Sequence, residues 1–235
     1  MHKREVYLTF DLDWAKDEQI YFLVDHLIKN EIKATFFLTH YSKAVQKILD
    51  QNELFEIGIH PNFLESSTQG RNFEEVIEFF SSWLSRPIGV RTHGLYTSST
   101  YFIKIMKKCP SLQYDVSTYL PYADNIKPYQ FEYAGRSIFK IPFNWEDDLE
   151  FEVSSPIWSI EGLVKKIDGS IILNLHPFHI FYNNAMISHY EEVKMNKVNI
   201  NLVERRNNSF GSFSMLNSLI KYKKNIKLGT LSEFI

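Results

Sequence analysis

The chain has 235 residues, of which 44% are hydrophobic and 23% charged, a composition typical of a folded domain and not of a disordered chain. Its formal net charge of -2 shows none of the excess of basic residues that is typical of nucleic-acid-binding proteins, so no nucleic-acid partner is expected. A single cysteine, Cys109, excludes an intramolecular disulfide, and no apolar run approaches the roughly 20 residues of a membrane span.

The first half of the chain alternates between strand-like and helix-like apolar patterns. Short apolar runs are typical of buried parallel strands, whereas apolar residues three and four apart indicate helices. Strands are predicted at 6–10, 34–38, 54–59, 88–91 and 113–117, with helices at 20–28, 44–49, 73–84 and 100–108 between them.

The alternation weakens in the second half. It is lost from 121 to 155, where the acidic group Glu146-Asp147-Asp148 is interpreted as a solvated loop, and residues 182–209 are interpreted as a loop with an extended segment. Helices are predicted at 160–167 and 213–222, and strands at 170–175 and 226–228. Strands that alternate with helices predict a parallel α/β sheet, either a barrel or an open doubly wound sheet, in a single domain over residues 1–235. No glycine-rich nucleotide loop follows any strand.

Polar residues with catalytic chemistry follow several of the predicted strands. Asp11 and Asp13 end the first strand, His60 and Asn62 the third, Arg91 and His93 the fourth, and His176 a late one. The carboxyl ends of parallel strands form one face, so these side chains are expected to converge there. Taken singly each has a plainer explanation, such as capping of the following helix by Asp13.

Five segments, in order, carry a recognisable pattern. They are Thr9-Phe10-Asp11-Leu12-Asp13, Glu56-Ile57-Gly58-Ile59-His60, Val90-Arg91-Thr92-His93-Gly94, Ile172-Leu173-Asn174-Leu175-His176 and Leu228-Gly229-Thr230-Leu231-Ser232. In order and rough spacing they resemble the motifs of the polysaccharide deacetylase superfamily, carbohydrate esterase family 4. The first differs from the family's Thr-Phe-Asp-Asp motif by one residue inserted between the acids.

The resemblance implies a fold and a chemistry. The fold would be a single deformed (β/α) barrel of about seven parallel strands. The activity would be hydrolysis of an N-acetyl group on an amino sugar of a surface polysaccharide or its precursor, with a divalent metal, usually zinc. Carried over residue by residue, the resemblance makes Asp11 the general base, Asp13 and His60 metal ligands, His176 the general acid, and Arg91 the residue that orients Asp11.

The chain departs from the family where a third metal ligand is expected. The second motif usually continues to another histidine, but Leu64 occupies that position and cannot ligate. Asn62 and His93 are the two candidates for the third ligand, since both are expected on the same face of the barrel. Because some relatives use a His-x-His pattern, Asn62 is the expected third ligand, and His93 is expected to line the substrate pocket. Trp14, directly after the acids, is expected to stack on a sugar ring, with packing in the core as its alternative.

Two other functions stay open on the residues alone. One is a glycoside hydrolase that uses Asp11 with a second carboxylate, and the other is a non-catalytic carbohydrate-binding protein on a degenerate barrel. The N-terminal residues enter a strand with no apolar signal region, so a cytoplasmic location is expected.

Overall fold

A computed structural model describes residues 3–13, 15–65, 67–195 and 206–235. The strands are β1 (Arg4–Asp11), β2 (Ala34–Leu38), β3 (Phe55–Ile59), β4 (Gly89–Val90), β5 (Tyr114–Tyr119), β6 (Tyr129–Tyr133), β7 (Arg136–Phe143), β8 (Trp145–Glu146), β9 (Ile171–Leu175) and β10 (Ile226–Gly229). The helices are α1 (Asp17–Lys29), α2 (Lys43–Leu49), α3 (Phe73–Ser81), α4 (Ser99–Lys108), α5 (Asp147–Glu150), α6 (Ile160–Lys166), α7 (Pro177–Tyr182), α8 (Ile187–Met195) and α9 (Ser212–Tyr222). Short 3-10 turns occupy His93–Leu95, Lys223–Asn225 and Leu231–Glu233.

Parallel strands form the wall of a closed barrel. Within the described part of the chain, β5, β4, β3, β2, β1 and β9 pair in that order. The run from β7 through Asn144 to β8 closes the ring, because Phe143 pairs with Tyr119 of β5 and Trp145 pairs with Leu173 of β9. Counting this run as one strand, the ring confirms the predicted deformed barrel of about seven parallel strands.

Two further strands extend the sheet outside this ring. β6 pairs antiparallel with β7, and β10 pairs parallel with the first half of β1. All residues of β2 and β9 are buried. This explains why each strand is apolar except at one polar position.

The two faces of β1 separate the core from the site. Val6, Leu8 and Phe10 pack in the large cluster that also contains the buried face of α1. Tyr7 belongs to a smaller cluster, made mostly of strand residues, on the other face of the sheet, the barrel interior. Side chains alternate along a strand, so Asp11 shares the inner face of Tyr7, at the carboxyl end of β1.

The helices follow the predicted amphipathic pattern. On α1, Ile20, Leu23, Val24 and Leu27 are fully buried against the sheet. The α3 helix begins after Asn72, whose side chain accepts a hydrogen bond from the amide of Glu75 at 3.0 Å. None of the helices that the structure describes combines the length and the apolar character needed to cross a bilayer.

The sequence prediction missed elements in two regions. Residues 121–155 contain strands β6, β7 and β8, and β6 escaped notice because its side chains are mostly exposed. The stretch interpreted as a loop from 182 contains α8, whose few apolar residues form no clear helical stripe, while residues 196–205 lie outside the described residues.

Candidate active site

Side chains from several strands meet around one cavity at the carboxyl end of the barrel. The cavity has a volume of about 320 Å³, and the residues with polar side chains that line it are Asp11, Asp13, His60, Thr92, His93, Glu146, Asp148 and His176. They come from the end of β1 and the loop after it, from the loops after β3, β4 and β9, and from the β8–α5 junction. The expected convergence at one end of the barrel is therefore observed.

Asp13, His60 and His93 form a tight cluster in this cavity. Oδ2 of Asp13 lies 2.9 Å from Nε2 of His60 and 2.7 Å from Nδ1 of His93, and the two ring nitrogens are 3.3 Å apart. Asp13 is not a helix cap, because Lys16 occupies the cap position of α1. Burial would raise the pKa of Asp13, but the two imidazoles outweigh it and hold that pKa far below its usual range.

The side-chain oxygen of Asn62, expected to be a metal ligand, is hydrogen-bonded within its own loop and not to this cluster. That oxygen accepts a hydrogen bond from the amide of Leu64 at 2.9 Å, which closes a turn within its own loop. His93, expected in the substrate pocket, instead contacts Asp13 directly. Its amide donates to the carbonyl of Pro61 at 3.0 Å, which holds the start of the 3-10 turn beside His60. Trp14 lies outside the described residues.

The cluster has the donor chemistry of a metal site. Two imidazole nitrogens and a carboxylate oxygen are the donors that catalytic zinc sites combine with one open position. Nδ1 of His60 has no hydrogen bond to any described residue and lies 3.6 Å from Oδ1 of Asp11. A carboxylate behind a ligating imidazole is the usual arrangement around such ions. The residues present therefore fit a divalent metal.

Arg91 and Asn174 hold Asp11 from the interior of the barrel. Nη1 of Arg91 donates to Oδ1 of Asp11 at 3.1 Å, and Nδ2 of Asn174 donates to Oδ2 at 2.9 Å. The guanidinium of Arg91 is fully buried between the rings of Phe37 and Phe143, at 4.6 and 4.5 Å from their centroids. This stacking fixes the plane of the guanidinium and thereby the carboxylate it contacts.

His176 lies among carboxylates on the opposite side. Its Nδ1 is 2.7 Å from Oδ1 of Asp147 and 3.6 Å from Asp148, and its amide donates to Asp147 at 3.0 Å. Burial alone would lower the pKa of His176, but Asp148 and Asp147 outweigh it and raise that pKa well above its ordinary value. His179 contacts Asp148 from behind.

Glu146 and Asp147 do not belong to a solvated loop. Both are buried, and Oε1 of Glu146 accepts a hydrogen bond from Nδ2 of Asn174 at 2.8 Å. Asn174 therefore bridges Glu146 and Asp11. Burial raises the pKa of Glu146 to about 7, against the opposing effect of His176 and with support from Asp148 and Asp11.

Sequence reasoning missed Asn174 as well as the acidic residues of β8 and α5. One signal for Asn174 was available, because it lies two residues before His176 and thus on the same face of β9. It also pairs in register with Thr9 of β1, two residues before Asp11. No comparable pattern marked Glu146.

Comparisons with known proteins bear on the family and the fold of the chain. The family model described as WbmS-like polysaccharide deacetylase matches residues 8–194. A Bordetella bronchiseptica protein, WbmS, described as a polysaccharide deacetylase involved in O-antigen biosynthesis, is 27% identical, with 94% of this chain and 90% of that chain covered and a TM-score of 0.76. The Bc1960 peptidoglycan N-acetylglucosamine deacetylase is similar in fold, at 15% identity, 99% and 88% coverage and a TM-score of 0.51. No curated protein sequence gives a significant match.

Proposed function

The chain belongs to the WbmS-like polysaccharide deacetylases, and from this membership we propose that it is a metal-dependent hydrolase that removes an N-acetyl group from an amino sugar. The proposed substrate is a surface polysaccharide or its precursor. O-antigen biosynthesis, the context described for the Bordetella bronchiseptica relative, is the model for this substrate class.

The contact of Asp13 with both His60 and His93 carries the proposal. These three residues would hold the metal, so His93 replaces Asn62 as the proposed third ligand. A divalent ion supplies Lewis acidity, which lowers the pKa of a water molecule and polarises an amide carbonyl. Zinc suits two imidazoles and a carboxylate, although the same donors also bind other divalent ions.

The remaining residues move the protons. Asp11, oriented by Arg91 and Asn174, accepts the proton of the attacking water. His176 gives a proton to the amine nitrogen as the C–N bond breaks. Because its Nδ1 contacts Asp147, that proton is carried on Nε2. The raised pKa of His176 keeps the imidazole protonated near neutral pH, as a general acid requires.

The glycoside hydrolase alternative is weaker. Its second carboxylate would be Glu146, whose carboxyl has an oxygen within 4.8 Å of one of Asp11. Glycosidases place their two carboxyl groups on either side of the scissile bond. Asn174 also links the two acids on the same side, and the cluster around Asp13 would have no role.

Acetate release tests the proposed function directly. The purified chain is stripped with a chelator, reloaded with zinc, cobalt or manganese, and incubated with N-acetylated oligosaccharides, polysaccharide precursors and nucleotide sugars. We expect acetate release that requires the metal and is lost in Asp11→Asn. Stoichiometric metal without acetate release across the panel would favour the non-catalytic alternative. Sugar release without acetate would favour the glycosidase.

A further inference from the structure

A second cavity adjoins the candidate active site. It has a volume of about 270 Å³ and lies between α4 and strands β5, β6 and β7. This is slightly less than the roughly 300 Å³ at which pockets for drug-sized ligands begin, so it suits a single sugar ring. None of the catalytic or metal-binding residues proposed above lines it.

The floor of the second cavity is a buried polar network. Nζ of Lys140 lies 2.7 Å from Oδ2 of Asp115, and Oγ of Ser117 donates to Oδ1 of Asp115 at 2.6 Å. Ser117 in turn accepts the amide of Thr92 at 2.9 Å. Asp115 and Ser117 are almost fully buried, whereas the side chain of Lys140 keeps 14% of its surface exposed.

Lys140 retains hydrogen-bonding capacity. Asp115 is its one hydrogen-bond acceptor among the described residues, and an ammonium group has three N–H donors. Its Nζ also lies 3.4 Å from the centroid of the Phe102 ring. Burying an ion pair costs free energy unless its remaining hydrogen-bond donors are satisfied. The remaining N–H donors of Lys140 lie at the cavity wall, where hydroxyl oxygens of a ligand can accept hydrogen bonds from them.

Aromatic rings form the rim of the same cavity. Tyr96 is 42% exposed and Tyr129 is 52% exposed, although both line it. Large aromatic side chains that stay exposed beside buried polar groups suit a ligand with one apolar face and a polar edge. A pyranose ring has this character, because its C–H groups form a face and its hydroxyls form the edge.

The two cavities share one wall. Thr92 lines both, whereas His93, Gly94 and Leu95 line the first and Tyr96 lines the second. A hydrogen bond from Oγ1 of Thr92 to the carbonyl of Tyr96, at 2.7 Å, closes the turn between them. The two cavities are thus consecutive along residues 92–96, one on the His93 side of this turn and the other on the Tyr96 side.

We propose that the second cavity is a saccharide subsite that binds the sugar unit adjoining the one deacetylated. The unit lies on the ring of Tyr129, with hydroxyls bonded to Lys140 and Asp115. The class of ligand rests on the proposed function, whereas the site itself rests on the residues described. The site makes the protein selective for oligosaccharides over single sugars.

Binding can be measured without turnover. The chelator-treated full chain is titrated by protein-observed NMR with N-acetylglucosamine, N-acetylgalactosamine, methyl glucoside and the disaccharide of N-acetylglucosamine, at millimolar concentrations. We expect shifts at the amides of Ser117, Tyr129 and Lys140. Tyr129→Ala should weaken binding roughly three- to tenfold, the range of a lost aromatic contact. Tyr133→Ala is the matched control, because Tyr133 is an exposed tyrosine on the same strand that does not line the cavity.

The outcomes separate this proposal from the proposed function. Absence of shifts at these amides with all four sugars, or equal weakening in Tyr129→Ala and Tyr133→Ala, overturns the subsite even when acetate is released. Binding at these amides without acetate release upholds the subsite and counts against the hydrolase. For substrates that are hydrolysed, Tyr129→Ala should raise KM for the disaccharide but not for the monosaccharide, with kcat unchanged. An equal rise in both contradicts the proposal.

Discussion

Replacing Glu146 by glutamine should change how the stability of the protein depends on pH. Glutamine keeps an oxygen that accepts the hydrogen bond from Asn174 but has no proton to lose. In the folded protein, burial raises the pKa of Glu146 from 4.5 to about 7. The folded state therefore keeps the Glu146 proton over a pH range in which the unfolded chain releases it.

The direction of the effect follows from this difference. Well below pH 4.5 the carboxyl is protonated in both states, and its contribution to folding is fully present. As pH rises towards about 7 this contribution is lost, because the Glu146 carboxyl ionises freely in the unfolded chain, whereas burial opposes its ionisation in the folded protein. A pKa unit is worth about 1.4 kcal/mol, so the loss at alkaline pH amounts to about 3 kcal/mol.

Urea unfolding of chelator-treated protein at a series of pH values measures this effect. We expect Glu146→Gln to match the wild type at low pH and to exceed its free energy of unfolding by about 3 kcal/mol above pH 7. Glu53→Gln, at an exposed loop position, controls for the loss of one negative charge. A stability difference that stays constant across the pH series would refute the reasoning.

Three further predictions concern the chemistry of the site. His93→Ala should lose stoichiometric metal, whereas Asn62→Ala should keep it, as measured by metal analysis after dialysis; loss only in Asn62→Ala would restore the asparagine as the third ligand. Asp11→Asn should abolish acetate release and keep the metal near its normal content, and a metal-free variant would show that the two aspartates have exchanged roles. His176→Ala should lower kcat roughly 10²- to 10⁴-fold, the usual contribution of a positioned acid or base, without unfolding the chain; an unchanged kcat would remove it from the mechanism.

The parallel α/β sheet and the first part of the site were accessible from the pattern of strands and strand ends, whereas the closure of the sheet into a barrel was implied only by the family resemblance. Asp11, His60, Arg91 and His176 each follow or end an apolar run, and the geometry of parallel strands brings such positions together. No long-range information was needed for this step, since the pattern within each strand already identifies its carboxyl end.

The sequence did not favour the third proposed ligand, because its position depends on a turn. The amide of His93 bonds to Pro61 beside Asp13, and the turn continues through Gly94 and Leu95 with left-handed backbone angles, with φ of 62° and 52°. A leucine with left-handed backbone angles is uncommon, and local propensity does not predict it. Local spacing pointed instead to Asn62, two residues after His60, whose side chain closes its own loop.

The side chain of Asn144 links the closure of the barrel to the surroundings of His176, the residue proposed as proton donor. Its side chain donates to the carbonyls of Ala123 and Ser170, at 3.0 and 3.1 Å, and accepts the amide of Ile172 at 2.9 Å. Glu146 and Asp147 follow within three residues. A substitution that loosens Asn144 would thus displace the carboxylates around His176 and resemble an active-site lesion in any activity screen, although the residue does not line the cavity.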